Sequence, residues 1–183
     1  MRSAFVLIMM LCGSACSGPM TTVFAPNQAA VAPEVPAGET AWMNGRFTFE
    51  DAKGEVVLIS AWDPGDHDSL GSMPAVHAIA DSFRERGLRL FTVTEVDVSD
   101  RDDDRAESEN VAMKHGVKYA TLFDDDGHWM RSVGISDMPT FLLVDQQGRI
   151  LVVHRGLLTK ESVAFRTLSD MIDELLGTAA PKK

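Results

Sequence analysis

Residues 56–74 read VVLISAWDPGDHDSLGSMP, and this stretch decides how the rest of the chain is arranged. Val56 to Trp62 is an uninterrupted apolar, β-prone run, the pattern of a central strand. Asp63-Pro64-Gly65-Asp66-His67-Asp68 then breaks it into a polar loop. Val76, Ile79, Ala80 and Phe83 recur at helical spacing, so a helix is expected from near Met73-Pro74, with Asp68 or Ser69 capping it. Gly87 ends that helix after the basic Arg84 and Arg86. In α/β folds a strand–loop–helix of this kind carries chemistry at the carboxyl end of the strand and the amino end of the helix.

Downstream, Leu88–Val98 reads as a second buried strand. Asp100–Asn110 is polar and acidic, and is read as a solvated loop leading to a short helix around Val111–His115. Tyr119–Phe123 and Trp129–Val133 flank a turn at Asp124-Asp125-Asp126-Gly127, and His128 there is expected at the surface. Thr140–Val144 and Arg149–His154 form a hairpin over Gln146-Gln147-Gly148, and Lys160–Leu176 is a closing amphipathic helix. Upstream, Arg46–Phe49 alternates like a short edge strand. The order strand–helix–strand, then hairpin–helix, predicts an α/β fold with a mixed central sheet of about four to five strands flanked by helices.

The first fifteen residues carry one basic residue, Arg2, an apolar run Ala4–Leu11 and the small residues Gly13-Ser14-Ala15. That is the pattern of a signal peptide, too short to span a bilayer. Cys16 follows directly, as in a bacterial lipoprotein signal, which makes it the candidate lipidation site. Residues 16–40, with Pro19, Pro26, Pro33 and Pro36, read as a flexible tether. The domain is expected over 41–177, with a short basic tail at 178–183. An exported, periplasmic or membrane-anchored protein is the expectation.

The net charge is −10, and removing residues 1–15 leaves 16 basic against 27 acidic residues. Such a balance repels phosphate and argues against a nucleic-acid partner. Both cysteines, Cys12 and Cys16, lie in the first sixteen residues, so the folded part has no thiol. It therefore has no internal disulfide, no cysteine zinc site and no cysteine nucleophile.

The 56–74 stretch resembles the active-site segment FWATWCPPCREEMP of TlpA/ResA-type thioredoxin-like proteins. Without a gap, Ala61-Trp62 falls on Phe-Trp and Met73-Pro74 on Met-Pro, while the two cysteines fall on Asp66 and Ser69. The later pattern D..G....YGV.GMPTTFLID..G.I matches Asp126-Gly127, Ser132–Ile135, Asp137–Asp145, Gly148 and Ile150. The resemblance covers roughly residues 43–176 and implies a thioredoxin-like fold with a cis Met138-Pro139 peptide facing the loop. It also places Ser72 where the family carries a glutamate.

Disulfide exchange needs a thiolate and a second thiol to resolve the mixed intermediate. Asp66 and Ser69 supply neither, and a hydrolase-like use of Ser69 with His67 lacks a nucleophile elbow. The expectation is a redox-inactive member that holds a peptide or protein partner in the former active-site groove, lined by Trp62, Asp66, His67, Ser69, Met138, Pro139 and Thr140. No cofactor is implied. Asp63, Asp66, His67 and Asp68 are weak candidates for a metal, in a spacing that fits no standard calcium loop. The alternatives are a thiol-disulfide oxidoreductase or antioxidant activity, as the resemblance implies, and a metal-binding envelope protein. His77, between Val76 and Ala78, is expected to be exposed.

Overall fold

The computed structural model describes residues 19–36 and 41–178. The expected signal peptide, Cys16 and most of the basic tail lie outside them. In chain order the elements are β1 (Met20–Val23), β2 (Trp42–Met43), β3 (Val56–Ala61), α1 (His67–Phe83), β4 (Leu88–Val96), α2 (Arg101–Lys114), β5 (Ala120–Asp125), α3 (His128–Ser132), β6 (Thr140–Val144), β7 (Ile150–Arg155) and α4 (Val163–Thr178). Among the described residues the strands form one mixed sheet of seven, in the order β1-β7-β6-β3-β4-β5-β2.

The apolar run of β3 is explained by its place in the sheet. It pairs in parallel with β4 and antiparallel with β6, and its side chains alternate between two separate cores. Val57 and Ile59 join Phe91, Val93, Leu122, Trp129 and Leu142 on one face. Val56 and Leu58 join Val76, Ile79, Phe141, Leu143, Leu168 and Ile172 under α1 and α4 on the other. A strand covered on both faces favours apolar side chains throughout, and its one polar residue, Ser60, is small and buried with the rest. Each aliphatic side chain buried this way contributes about 1.5–3 kcal/mol.

Several expectations are corrected. Residues 16–40 are not simply a tether, because Met20–Val23 adds antiparallel to β7, with Met20 opposite Arg155 and Val23 opposite Val152. The following arm stays on the same edge through Phe24 N–H to the Leu151 carbonyl, Ile150 N–H to that of Ala30 and Ala32 N–H to that of Gly148, each 2.8 Å. Ala32 and Val35 are buried. Arg46–Phe49 forms no strand. Phe47 stacks on Phe91 with centroids 4.3 Å apart, and Phe49 meets Phe47 edge-on at 5.2 Å, so the alternating aromatics plug the core instead of pairing.

The acidic segment is helix, not loop. Asp102, Asp103 and Asp104 occupy the first turn of α2, where negative charge is favoured, and Arg105 pairs with Glu109 one turn on. Trp129–Val133 is mostly the short helix α3, whose first amides are met by Asp124. That carboxylate is 2 % exposed and accepts from Trp129 N–H at 3.0 Å and Met130 N–H at 2.8 Å. Burial raises its pKa against the lowering effect of those two bonds.

Candidate functional site

The register of the central strands builds one end of the sheet. Ala61 lies opposite Thr140, so the chain leaving β3 and the chain entering β6 emerge side by side. The Met138-Pro139 peptide is cis, as the resemblance implies. Pro139 is buried, Met138 half-buried, and the Pro139 carbonyl accepts from Gly156 N–H at 2.8 Å. Thr140 is buried and its hydroxyl closes the turn on the Asp137 carbonyl at 2.6 Å.

Beside it, the loop after β3 is a lattice of short local bonds. The Asp63 carboxylate accepts from Gly65 N–H at 2.7 Å, and Asp66 N–H reaches the Asp63 carbonyl at 3.3 Å. Asp66 is the N-cap of α1, its carboxylate accepting from Ser69 N–H at 2.6 Å, so the cap is neither Asp68 nor Ser69. The helix begins at His67, six residues before the expected start, and carries Pro74 inside it. A proline marks a helix start only when nothing upstream offers a better one; here the Asp66 cap does.

Ser69 is 1 % exposed and its hydroxyl accepts from Asp63 N–H at 3.2 Å. Its oxygen therefore braces the loop and faces no open groove. His67 and Asp68 are exposed on the first turn. Trp62 does not line a groove mouth either. It is 1 % exposed, packed with Met73, Ala112 and Val117. Its indole N–H is buried with no hydrogen-bond partner. The surface left for a partner is Met138 with the rim of the Asp63–Asp68 loop. Among the described residues no three His, Cys, Asp or Glu side chains converge as a metal site, and two of the four loop candidates already spend their carboxylates on backbone amides.

Three features escape a reading of the sequence. Ser72, at the family's glutamate position, is 1 % exposed; its hydroxyl donates to the Asp68 carbonyl at 2.7 Å and accepts from Leu158 N–H at 2.9 Å, tying α1 to the segment after β7. His77, expected at the surface, is half-buried. Its Nδ1 lies 2.9 Å from the Tyr119 hydroxyl and its Nε2 lies 2.8 Å from the His115 carbonyl. A carbonyl only accepts, so Nε2 carries the proton and Nδ1 takes the tyrosine's. Burial pushes the Tyr119 pKa up to about 12, with Asp81 adding to it. His154, on β7, bonds the Thr21 hydroxyl through Nδ1 at 2.8 Å and stacks on Phe141, and burial holds its pKa below the usual imidazole value. Serine and histidine are common enough at surfaces that only tertiary packing could reveal these roles.

A cis-proline turn beside a strand–loop–helix, on a mixed sheet flanked by helices, defines a thioredoxin-like fold. No family model matches the chain. It is 21% identical over 118 residues to the thiol-disulfide oxidoreductase ResA of Bacillus thuringiensis, an overlap of 64% of this chain and 65% of that protein. The chain thus spans just under two thirds of the length of that relative. Over 160 residues it is 19% identical to ResA of Bacillus cereus, covering 86% of this chain and 89% of the relative. Among solved structures, a putative thiol:disulfide interchange protein DsbE from Chlorobium tepidum superposes with a TM-score of 0.67 at 22% identity, over 81% of this chain and 97% of that one. A secreted thiol-disulfide isomerase from Corynebacterium glutamicum gives 0.68 at 16% identity, over 90% and 96%. Within the thioredoxin-like class, the chain is similar to ResA-type thiol-disulfide oxidoreductases.

Proposed function

We propose that this chain is an exported thioredoxin-like protein that binds an extended peptide or protein segment at the cis-proline face without thiol chemistry. The observation that carries this reading is the chemical state of the two positions that fall on the family's cysteines. Residues 17–183 contain no cysteine, Asp66 is committed as a helix cap, and the Ser69 hydroxyl is buried against Asp63 N–H. No group there can form a mixed disulfide. The backbone before a cis-proline remains, and a peptide strand can pair with it by strand addition, Met138 supplying side-chain contact. Export, with Cys16 as the lipid-bearing residue, follows from the leader pattern and is supported by a structural neighbour described as secreted.

An amide-resolved titration with a pool of extended peptides tests the binding. Shifts should cluster at 63–69 and 136–140 and vanish in Met138→Asp. Shifts scattered over the surface, or unchanged by the substitution, refute the reading. The names of the relatives favour a second one, thiol-disulfide exchange. It requires that the 17–183 chain reduce insulin; the expected turnover is zero, and measurable turnover would overturn the redox-silent assignment.

A further inference from the structure

We infer that a lipid on Cys16 holds the cis-proline end of the domain against the membrane, so that its binding face works on segments presented at the bilayer surface. This rests on the proposed export and peptide binding, and specifies where the binding happens. The argument starts from β1. Because Met20 pairs with Arg155, the chain enters the fold at the carboxyl end of β7, beside the turn that precedes β6. Gly156 joins the two. Its N–H bonds the Pro139 carbonyl at 2.8 Å, and a Cβ placed on it would lie 3.1 Å from the Pro19 Cα. Pro19 and the cis-proline turn are therefore neighbours across a single glycine.

Only three peptide steps separate Cys16 from Pro19. Even fully extended they reach about 11 Å. A mobile linker of twenty-five residues would have let the domain turn freely, whereas an arm zipped to β7 fixes its orientation. The lipid surface then lies within that reach of Pro19, which the Gly156 contacts place beside the Met138-Pro139 turn. The opposite end of the sheet, where Lys53 precedes β3, stands a further ~20 Å away, the length of a six-residue strand. The rim near the turn carries exposed Asp68 and Asp137, which repel an anionic bilayer, so the covalent link supplies the proximity and charge does not.

The test uses the mature chain from Cys16 onward, whose single thiol is coupled to a maleimide lipid in vesicles of zwitterionic and anionic phospholipid. A fluorescent unnatural side chain sits at the exposed position Ser136 or at Lys53, and a short-range nitroxide quencher sits in the headgroups. Quenching at position 136 is expected to exceed that at 53 at least three-fold. Inserting twenty Gly-Ser residues between Ser17 and Gly18, with a root-mean-square span of about 25 Å, should abolish the difference, as should leaving the chain uncoupled. Equal quenching at both positions, stronger quenching at 53, or no effect of the insertion would overturn the inference. The coupling is chemical, so the outcome is independent of whether cells acylate Cys16, which intact mass of the envelope form decides separately. Loss of the peptide titration would refute the binding reading and leave the orientation result standing.

Discussion

Replacing Ser72 by alanine removes one hydroxyl from a sealed junction, and the structure sets what that costs. The Leu158 N–H loses its acceptor at a residue that is 0 % exposed, and water has no access to replace it. A buried amide left unpaired costs roughly 1–3 kcal/mol. The donated bond to the Asp68 carbonyl adds little, because a carbonyl in the first turn of α1 has other donors within reach. For a domain of this size each kcal/mol moves the thermal midpoint by about 2–4 °C, so the expected drop is about 2–12 °C. Urea unfolding followed by circular dichroism should show a lower midpoint with an unchanged m-value. Ser136→Ala, which breaks an exposed bond to Asp137, serves as the reference and should stay within about 0.5 kcal/mol. A Ser72→Ala protein as stable as that reference would refute the claim that the hydroxyl satisfies a buried amide. Ser72→Glu, which reinstates the family residue, should do worse than alanine, since the site around Leu158 has no room for a hydrated carboxylate.

Asp66→Ala should cost about 0.5–2 kcal/mol through loss of the cap on Ser69 N–H, and Asp66→Asn should recover most of it in the same unfolding assay. Asp124→Asn keeps the shape but gives one of two backbone donors an amide instead of an oxygen; a loss of roughly 1–3 kcal/mol is expected, with hydrogen exchange rising first in α3. His154 is held neutral by burial, so the unfolded chain takes up a proton where the native one does not. Stability should accordingly be full above the ordinary imidazole pKa of 6.5 and decline as the pH falls through it, and His154→Gln should flatten that part of the profile measured by urea unfolding between pH 8 and 5.

The legible parts of this fold are those whose local pattern and tertiary role agree. Val56–Ala61 reads as a buried strand because both faces are covered, and Thr140–Val144 with Ile150–Arg155 reads as a hairpin because Gly148 supplies the turn. The cis Met138-Pro139 was reachable only through resemblance, since no periodicity signals it. Where local pattern and context diverge, the pattern misleads. Met20–Val23 alternates weakly and is a strand only because β7 offers an open edge. Arg101–Lys114 buries just Ser108 and Ala112, so it shows almost no apolar stripe and is held by its charge arrangement. Trp62 looks like a groove residue on the aligned segment, yet its register sends the ring into a small core with Met73 and Val117. The lack of sulfur at the two aligned positions is plain in the sequence, whereas the bonds of Ser69 and Ser72 depend on residues six and eighty-six positions away.

The arm that lies along β7 also acts as a hem. Ile150–Arg155 is β-branched and apolar along most of its length, and without Met20–Ala32 its outer amides and carbonyls would face water as a ready template for another chain. A shortened form starting at Ala41 would keep the strand–loop–helix and the cis-proline turn, but it would lose the buried Ala32 and Val35 and expose that selvage, so self-association in solution should accompany the loss of stability.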